Sequence, residues 1–322
     1  MISVIVIGKD EGEGISRCLQ SVRAALEGVL PYEMIYVDSH SQDDSLTRAQ
    51  ALGARCFVPD DARTTPALGR WVGTQAALGE TLLFLDGDMT LSPGFVQAGL
   101  AAMDRGYAGA CGIRRDVYVK DGRVVGECGN YFGCRAARTA PEFGGAVMLR
   151  RDALLEAGGW NPDVETCEEA ELHARLRRRG LAVVELPVPM ITHTDRVRDA
   201  RGLFGTIFTR RRLGQGQALR CALRAGSAGQ LMLCDRPTRL WALQALCLIA
   251  CALLGLLVSG WGGLAAFAAA EALCQAAMLL ALRRQGHARS LVSAWLLLAY
   301  MPAGMASLQR RGTGFAQWEG TA

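Results

Sequence analysis

Two aspartates separated by one glycine, Asp86-Gly87-Asp88, follow the apolar run Leu82-Leu83-Phe84-Leu85. Such a run reads as a buried strand, so both carboxylates stand just past its carboxyl end, and the glycine lets a ligand approach closely. Oxygens placed this way suit a hard divalent cation, which usually keeps phosphate oxygens as its remaining ligands. Taken alone, the triplet is equally the composition of an ordinary turn. Two further sets of carboxylates invite the same question: Asp38 closes the run Glu33 to Val37, and Glu168-Glu169 opens a helical stretch. A carboxylate within reach of an attacking hydroxyl can accept its proton. Thr166-Cys167-Glu168-Glu169 also satisfies the capping-box pattern, in which Glu169 merely ties off the helix start.

These groups need elements to hold them. Over the first hundred residues, β-rich runs at Ile2 to Ile7, Glu33 to Val37, Ala54 to Val58 and Thr81 to Leu85 alternate with helical patterns near 15–26, 46–52 and 67–78. That alternation predicts an α/β domain, a parallel sheet covered by helices. Ligands of open sheets gather at the carboxyl ends of the strands, which draws Gly8 to Glu11, Asp38 to Ser41 and Asp86 to Asp88 together. Ser92-Pro93 predicts the cap and first turn of a helix running to Arg105. Ile113 to Gly133 reads as strands around the turn Asp121-Gly122, and Ala146 to Leu149 as another apolar run. Thr166 predicts a helix start, with the helix ending near Gly180, and Ala182 to Leu186 a last strand leading through Pro187 and Pro189 to His193.

The other end of the chain has a different character. Trp241 to Val258 carries no charge and Leu264 to Leu282 only Glu271, so each is about long enough to cross a bilayer core, with Leu291 to Leu308 a third candidate. Arg236 and Arg239 precede the first stretch and Arg283, Arg284 and Arg289 follow the second. The positive-inside rule therefore predicts a multi-pass protein of the plasma (inner) membrane with its amino-terminal part in the cytoplasm. Met1 leads straight into a strand-like run with no basic leader, which predicts no export of that part. Three crossings would put Arg310 and Arg311 outside, against the same rule, so the topology of 291–308 stays open, with Pro302 allowing a re-entrant or interfacial segment. The 11 cysteines include no CxxC pair, which points to neither a disulfide framework nor a zinc site. Glu271, costly in hydrocarbon, reads with Gln275 as a helix-packing device. No Ser-His-Asp arrangement, Walker loop or nucleic-acid motif is present.

In order, Val4 to Glu11, Val37 to Asp44, Phe84 to Asp88, Gly144 to Trp160 and Glu168 to Leu172 resemble the family 2 glycosyltransferases of GT-A fold, over roughly the first two-thirds of the chain. The resemblance implies a GT-A, nucleotide-diphospho-sugar transferase (Rossmann-like) mixed sheet flanked by helices over residues 1–235. A membrane region of two to three hydrophobic helices would follow over 236–322. It implies inverting transfer of a sugar from a nucleotide-diphosphate sugar to an acceptor hydroxyl, with Mg²⁺ or Mn²⁺. On that pattern Asp88 ligates the metal, and Asp86 reaches the metal or its water, the ribose or the donor sugar. Asp38 meets the base or ribose, Lys9 and Glu11 wall the same pocket, and Arg70 contacts the diphosphate or nucleotide. His193 matches a further metal ligand of some relatives, beside a purely structural reading. Glu169 matches the catalytic base, with Glu168 as second candidate. The sequence departs from the pattern in Glu168-Glu169, where most relatives have Glu-Asp, and in Trp71, where asparagine is frequent.

Thr209-Arg210-Arg211-Arg212-Leu213 partly echoes the Gln-Arg-x-Arg-Trp segment of processive polysaccharide synthases, with threonine for glutamine and leucine for tryptophan. Arg210 and Arg212 are candidate diphosphate clamps, because the planar guanidinium binds oxygens in pairs. The same stretch reads equally as a basic amphipathic helix on anionic lipid. The leading expectation is single transfer to a lipid-linked acceptor in cell-envelope or exopolysaccharide synthesis. A processive synthase and a non-catalytic membrane scaffold that binds nucleotide sugar are the alternatives, and sugar, nucleotide and acceptor are not legible.

Overall fold

Ile2–Gly8 (β1) reads ISVIVIG, and six of its seven residues are buried, as a central strand covered on both faces requires. The helix after it, Glu13–Leu26 (α1), buries Ile15, Cys18, Leu19, Val22 and Leu26 along one face at helical spacing. In the computed structural model, which describes residues 1–196, 209–257, 261–284 and 290–320, the alternation continues as expected. Tyr32–Asp38 (β2), Ser45–Ala51 (α2), Arg55–Pro59 (β3), Pro66–Ala76 (α3) and Thr81–Asp86 (β4) follow. The four strands are parallel, with Gly8 beside Asp38 and Ile7 beside Asp86, so the candidate segments share one sheet edge.

α3 begins where the Thr65 side chain accepts the Leu68 N–H and Pro66 fills the first turn. Its Gly69 and Gly73 lie against Ile7 and Ile5, and a Cβ on Gly73 would come within 2.3 Å of the Ile5 side chain. This close approach seats α3 on β1 and carries Arg70, between the two glycines, to the edge where the strands end.

Beyond β4 the sheet becomes mixed. Met89–Leu91 (β5), Phe95–Asp104 (α4), Gly109–Lys120 (β6), Arg123–Cys128 (β7), Arg138–Thr139 (β8), Val147–Arg150 (β9), Arg151–Glu156 (α5), Glu168–Arg178 (α6) and Val183–Arg196 (β10) succeed one another. β9 runs antiparallel between β4 and β6, whereas β10 is parallel to β6 and antiparallel to β5. The β6–β7 turn has φ of 50° at Asp121 and 74° at Gly122, the paired positive values of a tight hairpin. The start of α4 departs from expectation: Gly94, at φ 85°, caps it, and Ser92 instead gives its N–H to the Met190 carbonyl at 2.8 Å, tying β5 to β10.

A 3-10 turn at Arg210–Leu213 leads into Gly214–Arg224 (α7) and Ala228–Cys234 (α8), which pack on α6 around Val164, Leu219, Ala222 and Leu231. Arg236–Leu256 (α9), Trp261–Arg284 (α10) and Ser290–Ser307 (α11) follow. Among the described residues α9 and α10 are long and apolar enough to cross a membrane, and little of either is covered by protein. Phe315–Trp318 (β11) then pairs antiparallel with β3 at the sheet edge. That strand lies beyond the expected division at 235/236, so part of 236–322 completes the sheet of the first domain. Four residues are too few for an alternation to announce themselves as a strand.

Candidate active site

One guanidinium organises the carboxylates. Arg70, 1% exposed, donates from Nη1 to Glu168 Oε1 at 2.5 Å and from Nη2 to Asp86 Oδ1 at 2.9 Å, with Glu169 Oε1 3.5 Å from Nη2. It also lies 5.2 Å from the centroid of the Trp160 ring, which meets Phe84 edge-on. Burial works against the charge on Arg70, but Asp86, Glu169 and Glu168 around it outweigh that and raise its pKa. Arg70, expected at the diphosphate or nucleotide, hydrogen-bonds Glu168 and Asp86 and pairs with Glu169, supplying the cation that these three acidic side chains share.

Those neighbours shape the acids in turn. Burial raises the pKa of Asp86, and the charges of Asp88 and Glu169 add to it while Arg70 opposes. Burial also pushes Glu168 up to about 8, reinforced by Glu169 and opposed by Arg70. Glu168 is sealed, its side chain 4% exposed, while that of Glu169 is 23% exposed. The capping-box reading is not realised. α6 starts at Glu168 with Cys167 at φ 66° as its cap and no side-chain cap bond, and the Thr166 hydroxyl instead donates to the Arg211 carbonyl at 2.7 Å. Three acidic residues in the first turn suit the positive end of the helix dipole.

Asp88 has a different setting. Its Oδ2 is 3.2 Å from His193 Nε2, and its Oδ1 is shut off from solvent with no hydrogen-bond partner. Strand register brings these groups together, since His193 on β10 pairs with Met89 of β5 on one side and Asp116 of β6 on the other. His193 Nδ1 lies 2.9 Å from Asp116 Oδ1, which also accepts from Arg114 Nε at 2.8 Å. The hydrogen bond to Asp88 is the main cause of a raised His193 pKa, against the effect of burial. Sequence reasoning missed Arg114 and Asp116, whose roles exist only through the β6–β10 register.

An unpaired buried carboxylate oxygen beside an imidazole held by a second carboxylate is a donor set that fits a divalent cation, with nitrogen favouring Mn²⁺ over Mg²⁺. Among the described residues no group of three or more His, Cys, Asp or Glu forms a cage, so the remaining ligands would come from a bound anion or water. Asp88 opens on a cleft of about 1430 Å³ whose walls include Lys9, Glu11, Thr194 and the hairpin turn at Lys120 to Gly122. Gly87 is needed there, because a Cβ on it would come within 2.7 Å of the Glu11 side chain. Gly145 closes the other flank; a Cβ on it would lie 2.4 Å from Asp86 Oδ2.

Asp38 reaches the same edge but turns into its own loop. Fully buried, it accepts from Ser41 N at 2.7 Å, Ser41 Oγ at 2.5 Å and Tyr36 Oη at 2.9 Å. These bonds form an Asx-type turn that shapes the loop at His40, where φ is 58°. Arg210 lies 3.5 Å from Glu165, and Gly214 packs so closely on Thr166 that it tolerates no Cβ. The 3-10 turn bearing Arg210 and Arg212 is thus docked on the loop that leads into Glu168 and Glu169.

The model of the family described as glycosyl transferase family 2 matches residues 3–152. Those residues are a family 2 glycosyl transferase domain. The fold is the GT-A fold: a crystal structure of GalNAc-T7 with UDP, GalNAc and Mn²⁺ superposes with a TM-score of 0.50 at 16% identity, covering 62% of this chain. This chain spans 44% of that one. The family match takes in Asp38, Arg70, Asp86 and Asp88 and ends before Glu168, Glu169 and His193, which the tertiary structure adds to the transferase domain.

Proposed function

We propose that this chain moves a sugar from a nucleotide-diphosphate donor to an acceptor hydroxyl, with inversion. The observation that carries the reading is the bridge made by Arg70, which sets Asp86 at the donor edge and Glu168-Glu169 at the start of α6 on one guanidinium. Asp88 and His193 would hold the divalent metal, with Asp116 orienting the imidazole. When bound, such a cation neutralises charge on a departing nucleoside diphosphate. Glu169 is the acceptor-side base: solvent reaches it, whereas Glu168 is sealed behind it as its positioning partner. Lys9 and Glu11 wall the donor cleft, Asp38 holds the adjoining loop in shape, and Arg210, paired with Glu165, and Arg212 would exchange their contacts for diphosphate oxygens.

The membrane reading rests on α9 and α10, whose apolar side chains are largely uncovered by protein. It places the acceptor at a bilayer surface, attached to lipid, as in cell-envelope or exopolysaccharide glycan synthesis. The test is purified full-length protein with Mn²⁺ or Mg²⁺, a panel of nucleotide sugars and membranes as acceptor source, read by product mass. Transfer of one sugar is expected. Folded protein that neither binds nor hydrolyses any donor refutes the proposal, and long products point to processive synthesis.

A further inference from the structure

The chain leaves the transferase domain once and returns to it. Asp235, directly after α8, caps α9 by accepting the Thr238 N–H at 2.9 Å, and α8 is fixed on α6, with Cys234 Sγ 3.6 Å from the Ala170 carbonyl. Past α11, Arg311 pairs with Glu165 at 2.8 Å and its backbone N–H reaches Asp163 Oδ1 at 2.7 Å. β11 then adds to β3, with Phe315 edge-on to Phe57 at 5.9 Å and to Trp71 at 6.3 Å. A strand bonded into a sheet stands on the same side of a bilayer as that sheet.

Resting on the membrane reading above, we propose that the chain crosses the bilayer twice, as an α9–α10 hairpin. α11 does not cross; it is a seam between that hairpin and the transferase domain, and the carboxyl-terminal strand shares the side of the active site. The hairpin's register supports this. Gln244 of α9 bonds Glu271 at 3.1 Å and Gln275 at 3.0 Å on α10, and Gly255 lies against Gly263 at the far end. Gln244 is eight residues after Arg236 and Gln275 nine before Arg284. At 1.5 Å per residue the two arginines stand at nearly the same depth, about 12 and 14 Å from the polar cluster, where a basic collar marks one interface.

α11 spends its surface differently. Ala294, Leu297 and Met301 are buried, and Gly304 crosses Gly216 of α7 so closely that a Cβ on it would come within 2.2 Å of the Leu213 carbonyl. Arg220 of α7 donates to the Met305 carbonyl at 2.6 Å and Gln217 to Ser307 Oγ at 3.3 Å. An arginine of the catalytic side thus satisfies one carbonyl in the last turn of α11 and a glutamine its Ser307 hydroxyl, which hydrocarbon could not do. Trp295 joins the helix to the hairpin through Gln275 at 3.0 Å. The crossing parity also removes the conflict posed by Arg310 and Arg311, which no longer have to lie on the disfavoured side.

The experiment uses the full-length chain in sealed vesicles of known orientation, with one epitope before Met1, another after Ala322, and Leu257→Cys at an 82% exposed position between α9 and α10. Labelling by a membrane-impermeant maleimide is read by mass against the parent protein, so the native cysteines cancel. The expected result has both epitopes digested from one face, one added label at position 257 from the opposite face only, and retention after alkaline carbonate. Epitopes on opposite faces, or a label at 257 from the epitope face, overturn the two-crossing arrangement and leave the membrane reading standing. Release by carbonate overturns the membrane reading itself.

Discussion

Asp86 and Asp88 are two residues apart and have opposite surroundings. Asp86 accepts through Oδ1 from the buried Arg70, with Glu168 and Glu169 on the same guanidinium, so one of its oxygens is answered from within the fold. Asp88 faces the cleft with one oxygen near His193 and the other unanswered. Acids tied to one buried guanidinium hold geometry, whereas a carboxylate with an unpartnered oxygen beside a histidine is suited to receive a cation. The difference separates residues whose loss should damage the fold from those whose loss should damage only binding or turnover.

The sharpest way to break this contrast is Arg70→Met. Removing the cation leaves three acidic side chains without their shared donor, and we expect a loss of about 3–5 kcal/mol in stability by thermal or denaturant unfolding. A near-normal transition would mean that the cluster does not hold the fold. Asp88→Asn, by contrast, should change stability by less than about 1 kcal/mol and abolish Mn²⁺-dependent donor binding, measured by calorimetry. Glu169→Gln should lower transfer about 10²–10⁴-fold while donor binding stays intact, since a base acts on the acceptor. Donor affinity that falls in step with turnover would move Glu169 out of that role.

Asp116→Asn tests the indirect support of the open pair. A second carboxylate behind a ligating histidine is worth roughly 10–100-fold in metal affinity, to be read from Mn²⁺ titration of donor binding. An unchanged titration would leave His193 as a structural neighbour of Asp88. The smallest expected effect is on pH dependence. Glu168 binds a proton more readily folded than unfolded, so its contribution to stability is complete below the ordinary glutamate range and is lost as pH rises towards about 8. Glu168→Gln should flatten that decline, a change on the order of 2 kcal/mol between pH 5 and 8.

Much of this arrangement was legible in the residues. The first four strands and three helices announce themselves by apolar period, and the carboxyl-end rule draws Gly8, Asp38 and Asp86 to one edge, as the parallel register bears out. Arg70 was legible as a residue of the site and not as its hub, because its partners arrive from β4 and from α6, 98 residues away at Glu168. For Asp38, a ligand contact and an Asx turn share the same strand-end sequence, and the turn becomes visible only in the folded loop. Trp71, which looked like a lapse from the family pattern, packs against Phe315 of a strand more than two hundred residues further on.

The sequence alone determined the alternation of strand and helix, the acidic residues at the strand ends and the lengths of the apolar helices, because periodicity and chain reach are local properties. Tertiary structure alone decided which charge meets which and that the tail returns to the sheet. Both depend on strand register and helix crossing, and a register is a relation between distant segments that neither segment carries by itself.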